Sequence, residues 1–162
     1  MFKAIVVAIG LIAVIWAAPA LALDGRQAEA VVGLMEQLAE ASGEPIYLGG
    51  SGDMLAYDEA GDGLIAAAGF DADGWDSAYD AVITGYMAGM PDEAFEAMFR
   101  APLARLEANT TLSGEQKAAI RAEMEPHIAE AQAAREAGRV HMAAVLPVAE
   151  RVRALLLSDM GE

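Results

Sequence analysis

Val31, Leu34, Met35 and Leu38 recur at three- and four-residue spacing and lay one apolar stripe along a helix. Asp24 is placed to cap that helix, Gly43 to end it, and Pro45 follows. The next stretch, EPIYLGGSGDMLAYDEAGDGLIAAAG, is rich in glycine and has no steady period. It predicts a loop with short helices around Met54 to Glu59 and Leu64 to Ala68. From Asp73 the pattern sharpens: Trp75, Tyr79, Val82, Ile83, Tyr86, Met87 and Met90 share one helical face. Pro91 suits the first turn of a further helix, where Asp92, Glu93 and Glu96 meet the positive end of its macrodipole. Phe95, Met98, Phe99, Leu103 and Leu106 form its expected buried stripe, and Pro102 predicts a kink or a break.

Ser113 and Gln116 then stand in S-x-x-Q spacing, the mark of a capping box, with Leu112 placed as its hydrophobic staple. Helix is predicted from Gly114 to about Ala137, with a kink at Pro126. Gly138 either separates it from a last helix reaching Leu157 or leaves the two nearly continuous. Val140, Ala144, Val148, Val152, Leu155 and Leu156 keep that last segment amphipathic, and Pro147 bends it. No segment alternates convincingly with period two. The pattern therefore predicts an all-α fold, a small helical bundle of about five or six helices with kinks near Pro102, Pro126 and Pro147.

The N-terminus changes the picture. Met1-Phe2-Lys3 precedes an unbroken apolar run from Ala4 to Trp16, and AAPALA follows. This reads as a secretory signal peptide over residues 1–22, cleaved after Ala22 or, alternatively, after Ala20. The uncharged run from Ala4 to Leu23 is also about long enough for an uncleaved anchor, but Pro19 and the A-x-A site favour cleavage. Residues 23–162 remain as a single all-α domain, expected in the periplasm or secreted and free of the membrane once the signal is removed. The chain has no cysteine, which excludes a lipid-modified bacterial lipoprotein and a disulfide framework.

Charge is distributed unevenly. Between Gln27 and Phe99 there is no Lys or Arg against fifteen acidic residues, whereas from Arg100 onward eight basic residues face nine acidic ones. Such a surface argues against nucleic acid and against docking on anionic lipid. It fits a solvated surface, or attraction of a divalent cation or a basic partner.

A calcium site is the sharper form of that last idea. Asp58 and Asp62 occupy positions 1 and 5 of an EF-hand-like loop, with Gly63 at its turn and Ile65 at position 8. Ala60 at position 3 and Gly69 at position 12 depart from that loop, and the bidentate glutamate is missing. Asp71, Asp73, Asp76 and Asp80 in DADGWDSAYD add carboxylates, although Gly74 comes too early for that loop and Asp71 or Asp73 also suits the N-cap before Trp75. Histidine offers a zinc or copper alternative. Glu123, His127 and Glu130 share a helix face, and His141 joins it if the helix runs on.

Catalytic signatures are lacking: there is no cysteine nucleophile, G-x-S-x-G elbow, phosphate-binding loop or H-E-x-x-H. The acidic residues allow many carboxylate pairs, and the sequence picks out none for acid and base work. No catalytic residue and no required cofactor is assigned. The methionines fall mostly on apolar stripes as core filler, and flexible thioethers also suit an adaptable binding groove.

LSGEQKAAIRAEM, from Leu112 to Met124, resembles the L-T-x-x-Q segment of small periplasmic helical proteins of the Spy and CpxP type, which are stress-associated chaperones or regulators. Ser113 stands where that family has Thr, and the second copy usual in the family is absent. The resemblance implies an exported, non-enzymatic helical protein that acts through protein–protein interaction, chaperone-like or related to envelope stress. The alternatives are a calcium-binding protein using its acidic N-terminal half and a structural subunit. The expected partner is a protein.

Overall fold

Asp24 begins helix α1 (Gly25–Ser42) as the spacing predicts. Its carboxylate accepts the amides of Arg26 and Gln27, each at 2.8 Å, and the Gln27 side chain accepts the Asp24 amide at 2.9 Å. At the other end Gly43 takes a left-handed conformation (φ 69°), which only glycine adopts without strain, and its N–H returns to the Ala39 carbonyl. The computed structural model describes residues 22–43 and 46–157. The signal-peptide reading therefore falls almost wholly outside the described residues, of which Ala22 is the first.

Two short helices follow, α2 (Ser51–Glu59) and α3 (Leu64–Ala67), close to their predicted places. Helix α4 (Ala72–Gly89) is the axis of the molecule, packing against α1, α2 and the last third of the chain. It buries Trp75, Tyr79, Val82, Ile83 and Met87, the stripe read from the sequence, and keeps Tyr86 and Met90 half-buried. Facing them from α1 are Val31, Val32, Met35 and Leu38, all essentially inaccessible. Burying side chains of this size contributes about 1.5–3 kcal/mol each, so these two helices carry much of the fold. Polar tips within the core are satisfied. The Trp75 indole N–H donates to the Ser51 carbonyl at 3.0 Å, and the Tyr79 hydroxyl donates to the Tyr47 carbonyl at 2.9 Å.

Helices α5 (Asp92–Ala108) and α6 (Gly114–Ala137) come next. The chain then tightens into a 3₁₀ turn (Gly138–Val140), a single turn of helix α7 (Met142–Val145), a second 3₁₀ turn (Leu146–Val148) and helix α8 (Ala149–Leu157). Val145, Val148 and Val152 from these last elements close the core over α1 and α4. Gly85 makes that closure possible. A Cβ there would lie 2.9 Å from a Val145 methyl and 3.0 Å from the His141 Cβ, too near for either.

The described residues contain helices and turns and no strand, so the fold is all-α. Neither Pro102 nor Pro126 splits its helix, and Pro147 lies in a 3₁₀ turn that interrupts the last helical segment. Two details differ from the pattern. The expected buried stripe of α5 is not buried: only Phe95 is, because just the first turns of the helix reach the body of the protein. Val140 is exposed as well, since the 3₁₀ turn rotates it off the face that Val148 and Val152 share.

Candidate functional site

The α5–α6 pair is an arm. Helix α6 has 24 residues, about 36 Å of helix, and none of them is buried. Phe99, Leu103, Leu106, Leu112, Ile120, Met124 and Ile128 are half-covered along the arm, and Met98 is 50% exposed. Two helices alone cannot fully enclose an apolar stripe, so it stays partly accessible.

Both ends of the arm are fastened. At its root Arg135 donates to the Met87 carbonyl (3.0 Å), the Met90 carbonyl (2.6 Å) and the Asp92 carboxylate (2.9 Å). Its guanidinium also lies 4.5 Å above the centre of the Phe95 ring. One arginine thereby satisfies the carbonyls left free where α4 ends and holds α6 to the start of α5. At the tip, Asn109 Oδ1 accepts from the amide and hydroxyl of Thr111, and Ser113 and Gln116 make the predicted capping box. Lys117 donates to the Glu107 carbonyl at 2.6 Å, and Arg121 pairs with the Glu107 side chain. The segment Leu112–Met124 thus forms the tip of the arm and the outer half of α6.

Where α6 passes the body of the protein, a cleft of about 440 Å³ opens between Leu48, Gly49, Asp80, Thr84, His127, Glu130, Ala131 and Ala134. Asp80 stands at its inner side. Burial, and then the neighbouring Asp76 carboxylate, push its pKa above the ordinary value, and the Gly49 backbone N–H opposes the rise. Its Oδ1 is buried with no hydrogen-bond partner among the described residues. The Thr84 hydroxyl donates to the Asp80 backbone carbonyl at 2.7 Å. His127 and Glu130 are both largely exposed and stand 3.9 Å apart at the rim.

Three of the aspartates considered for calcium are engaged within the fold. Asp58 is only 3% exposed and accepts the amides of Leu64 (2.7 Å) and Ile65 (2.9 Å), starting α3. Asp71 accepts the Gly74 amide at 2.8 Å and caps α4. Asp76 accepts the Ser51 hydroxyl, while Asp62 and Asp73 are exposed. Among the described residues no three His, Asp or Glu side chains stand together so as to hold a metal ion. His141 does not share a face with His127, because the helix breaks at Gly138 between them. It instead accepts the Leu23 amide on Nδ1 at 3.0 Å, across 118 residues, and burial pushes its pKa below the ordinary value.

Sequence reasoning counted Asp80 only among the carboxylates of DADGWDSAYD, and it missed Arg135. Arg135 lies in no local motif and gains its role from Met87, Met90 and Asp92, more than forty residues away. Compared with family models, curated proteins and solved structures, the chain shows no significant match.

Proposed function

We propose that the protein is exported, performs no chemistry, and works by binding another protein along the α5–α6 arm. The observation that carries this reading is the 24-residue helix α6, which buries nothing yet is pinned at its root by Arg135 and at its tip by Lys117 and Arg121. A helix serving only the core would turn its apolar stripe inward. This one leaves Ile120, Met124 and Ile128 half-buried, beside half-buried Leu103 and Leu106 and the exposed Met98. Unbranched thioethers adapt to varied apolar partners, which suits a chaperone-like component of the envelope better than a site for one ligand. The resemblance of Leu112–Met124 to the Spy and CpxP type falls on this same arm.

The test is light scattering by reduced, aggregating insulin, with and without the chain from Leu23 onward in the presence of a chelator. Suppression is expected, and it should be lost in a Met98→Glu, Met124→Glu double variant whose helicity is unchanged. Unaltered scattering, together with assembly of the chain into a larger species by sedimentation, would retire the chaperone reading in favour of a structural subunit.

A further inference from the structure

Leu23 is fixed in the fold at two points. Its side chain packs partly into the core, and its main-chain N–H donates to His141 Nδ1 at 3.0 Å. The next amide, Asp24 N–H, is taken by Gln27 Oε1, and Asp24 in turn caps α1. Ala22, one residue earlier, is exposed. The Leu23 amide thus stands on His141 at the residue where the A-x-A motif places the new N-terminus.

We infer that His141 is the seat for the α-amino group released by cleavage after Ala22, so that processing leaves a charged N-terminus docked on the start of α7. The inference rests on the export reading above. The chemistry is balanced: peptide hydrolysis turns the Leu23 amide into an ammonium, and one of its three N–H bonds replaces the amide donor that His141 already accepts. The acceptor must be an unprotonated Nδ1, which places the imidazole proton on Nε2. Burial of His141 favours that neutral form at pH 7. A lone positive charge before a helix N-terminus opposes the macrodipole, and the Asp24 carboxylate, next in the chain, offsets it. Cleavage after Ala20 would leave Leu21 and Ala22 as an overhang, and the nitrogen on His141 would remain an uncharged amide.

Position 141 acts by holding the terminus, so its test needs readouts beyond stability. The intact mass of the exported protein comes first, with Leu23 expected as its first residue. A retained signal would refute cleavage, and with it this inference, while leaving the exported arm of the proposed function in place. A start at Leu21 would refute this inference alone. The α-amino group of the Leu23 form is then acylated at neutral pH under native conditions. Labelling is expected to be about tenfold slower than in His141→Leu, the protection a charge-assisted hydrogen bond gives. His141→Asn, which keeps an acceptor near the Nδ1 position, should restore most of the protection. Long-range proton–nitrogen NMR of the unsubstituted protein should show the Nε2–H tautomer of His141, a readout that does not depend on any variant folding. Equal labelling of wild type and His141→Leu, or an Nδ1–H tautomer, would overturn the assignment.

Discussion

Gly138 lies directly against the Thr84 carbonyl, so close that a Cβ on Gly138 would overlap the backbone of Thr84. The glycine has an ordinary helical conformation (φ −67°), so space rather than backbone freedom requires it. It lets the chain leaving α6 lie on the middle of α4. A Gly138→Ala substitution should push the 3₁₀ turn off α4 and cost about 3 kcal/mol, the upper end of overpacking. The urea midpoint should fall accordingly, whereas Gly114→Ala, with nothing within 4 Å, should change it little.

Asp58 is predicted to be a structural carboxylate. Replacing it with Ala removes the acceptor of two amides in a nearly closed environment and should cost about 2–3 kcal/mol. The loss should be the same with calcium or with a chelator in the buffer. A calcium-dependent rise in the wild-type melting temperature that disappears in Asp58→Ala would instead revive the cation reading, since ligand binding must stabilise the native state.

The split between legible and illegible features has a physical basis. The ends of α1, the buried face of α4 and the box at Ser113 and Gln116 follow from neighbours within four residues, and the sequence carries that information directly. What covers a stripe is decided elsewhere in the chain. Leu103 and Leu106 have the same spacing as Val82 and Tyr79, yet no third layer lies over the arm to bury them. Asp58 carries the residue type of a calcium ligand, but its partners are amides six and seven residues on, which only the turn at Gly61 and Gly63 brings near. The Asp80 cleft draws on three separate segments, and no spacing rule reaches across them.

Acid should weaken the tie between the two ends of the domain. Arg151 grips Glu36 through two bonds of 2.8 and 2.6 Å and also reaches Glu29. Its hydrogen bonding holds the Glu36 pKa below the ordinary 4.5, against a smaller opposing effect of burial. The unfolded state therefore binds this proton more readily than the folded state. The pair's stabilisation is complete above about pH 4.5 and is lost as pH falls through the lowered value. Both partners are more than a third exposed, so the full contribution stays below about 1 kcal/mol. Stability measured from pH 6 down to pH 3 should decline less steeply in Arg151→Met than in wild type.

Helix α1 finds cover in α7 and α8, which are made about a hundred residues after it. A ribosome releases α1 and α4 well before Val145, Val148 and Val152 exist to close over them. The emerging half carries its acidic side chains without Arg135 or Arg151 to answer them, and self-repulsion keeps such a chain open and soluble. Contacts between distant positions are also slow to form, because loop closure must precede any gain. Val145, Val148 and Val152 thereby act as the clasp that completes the core over α1.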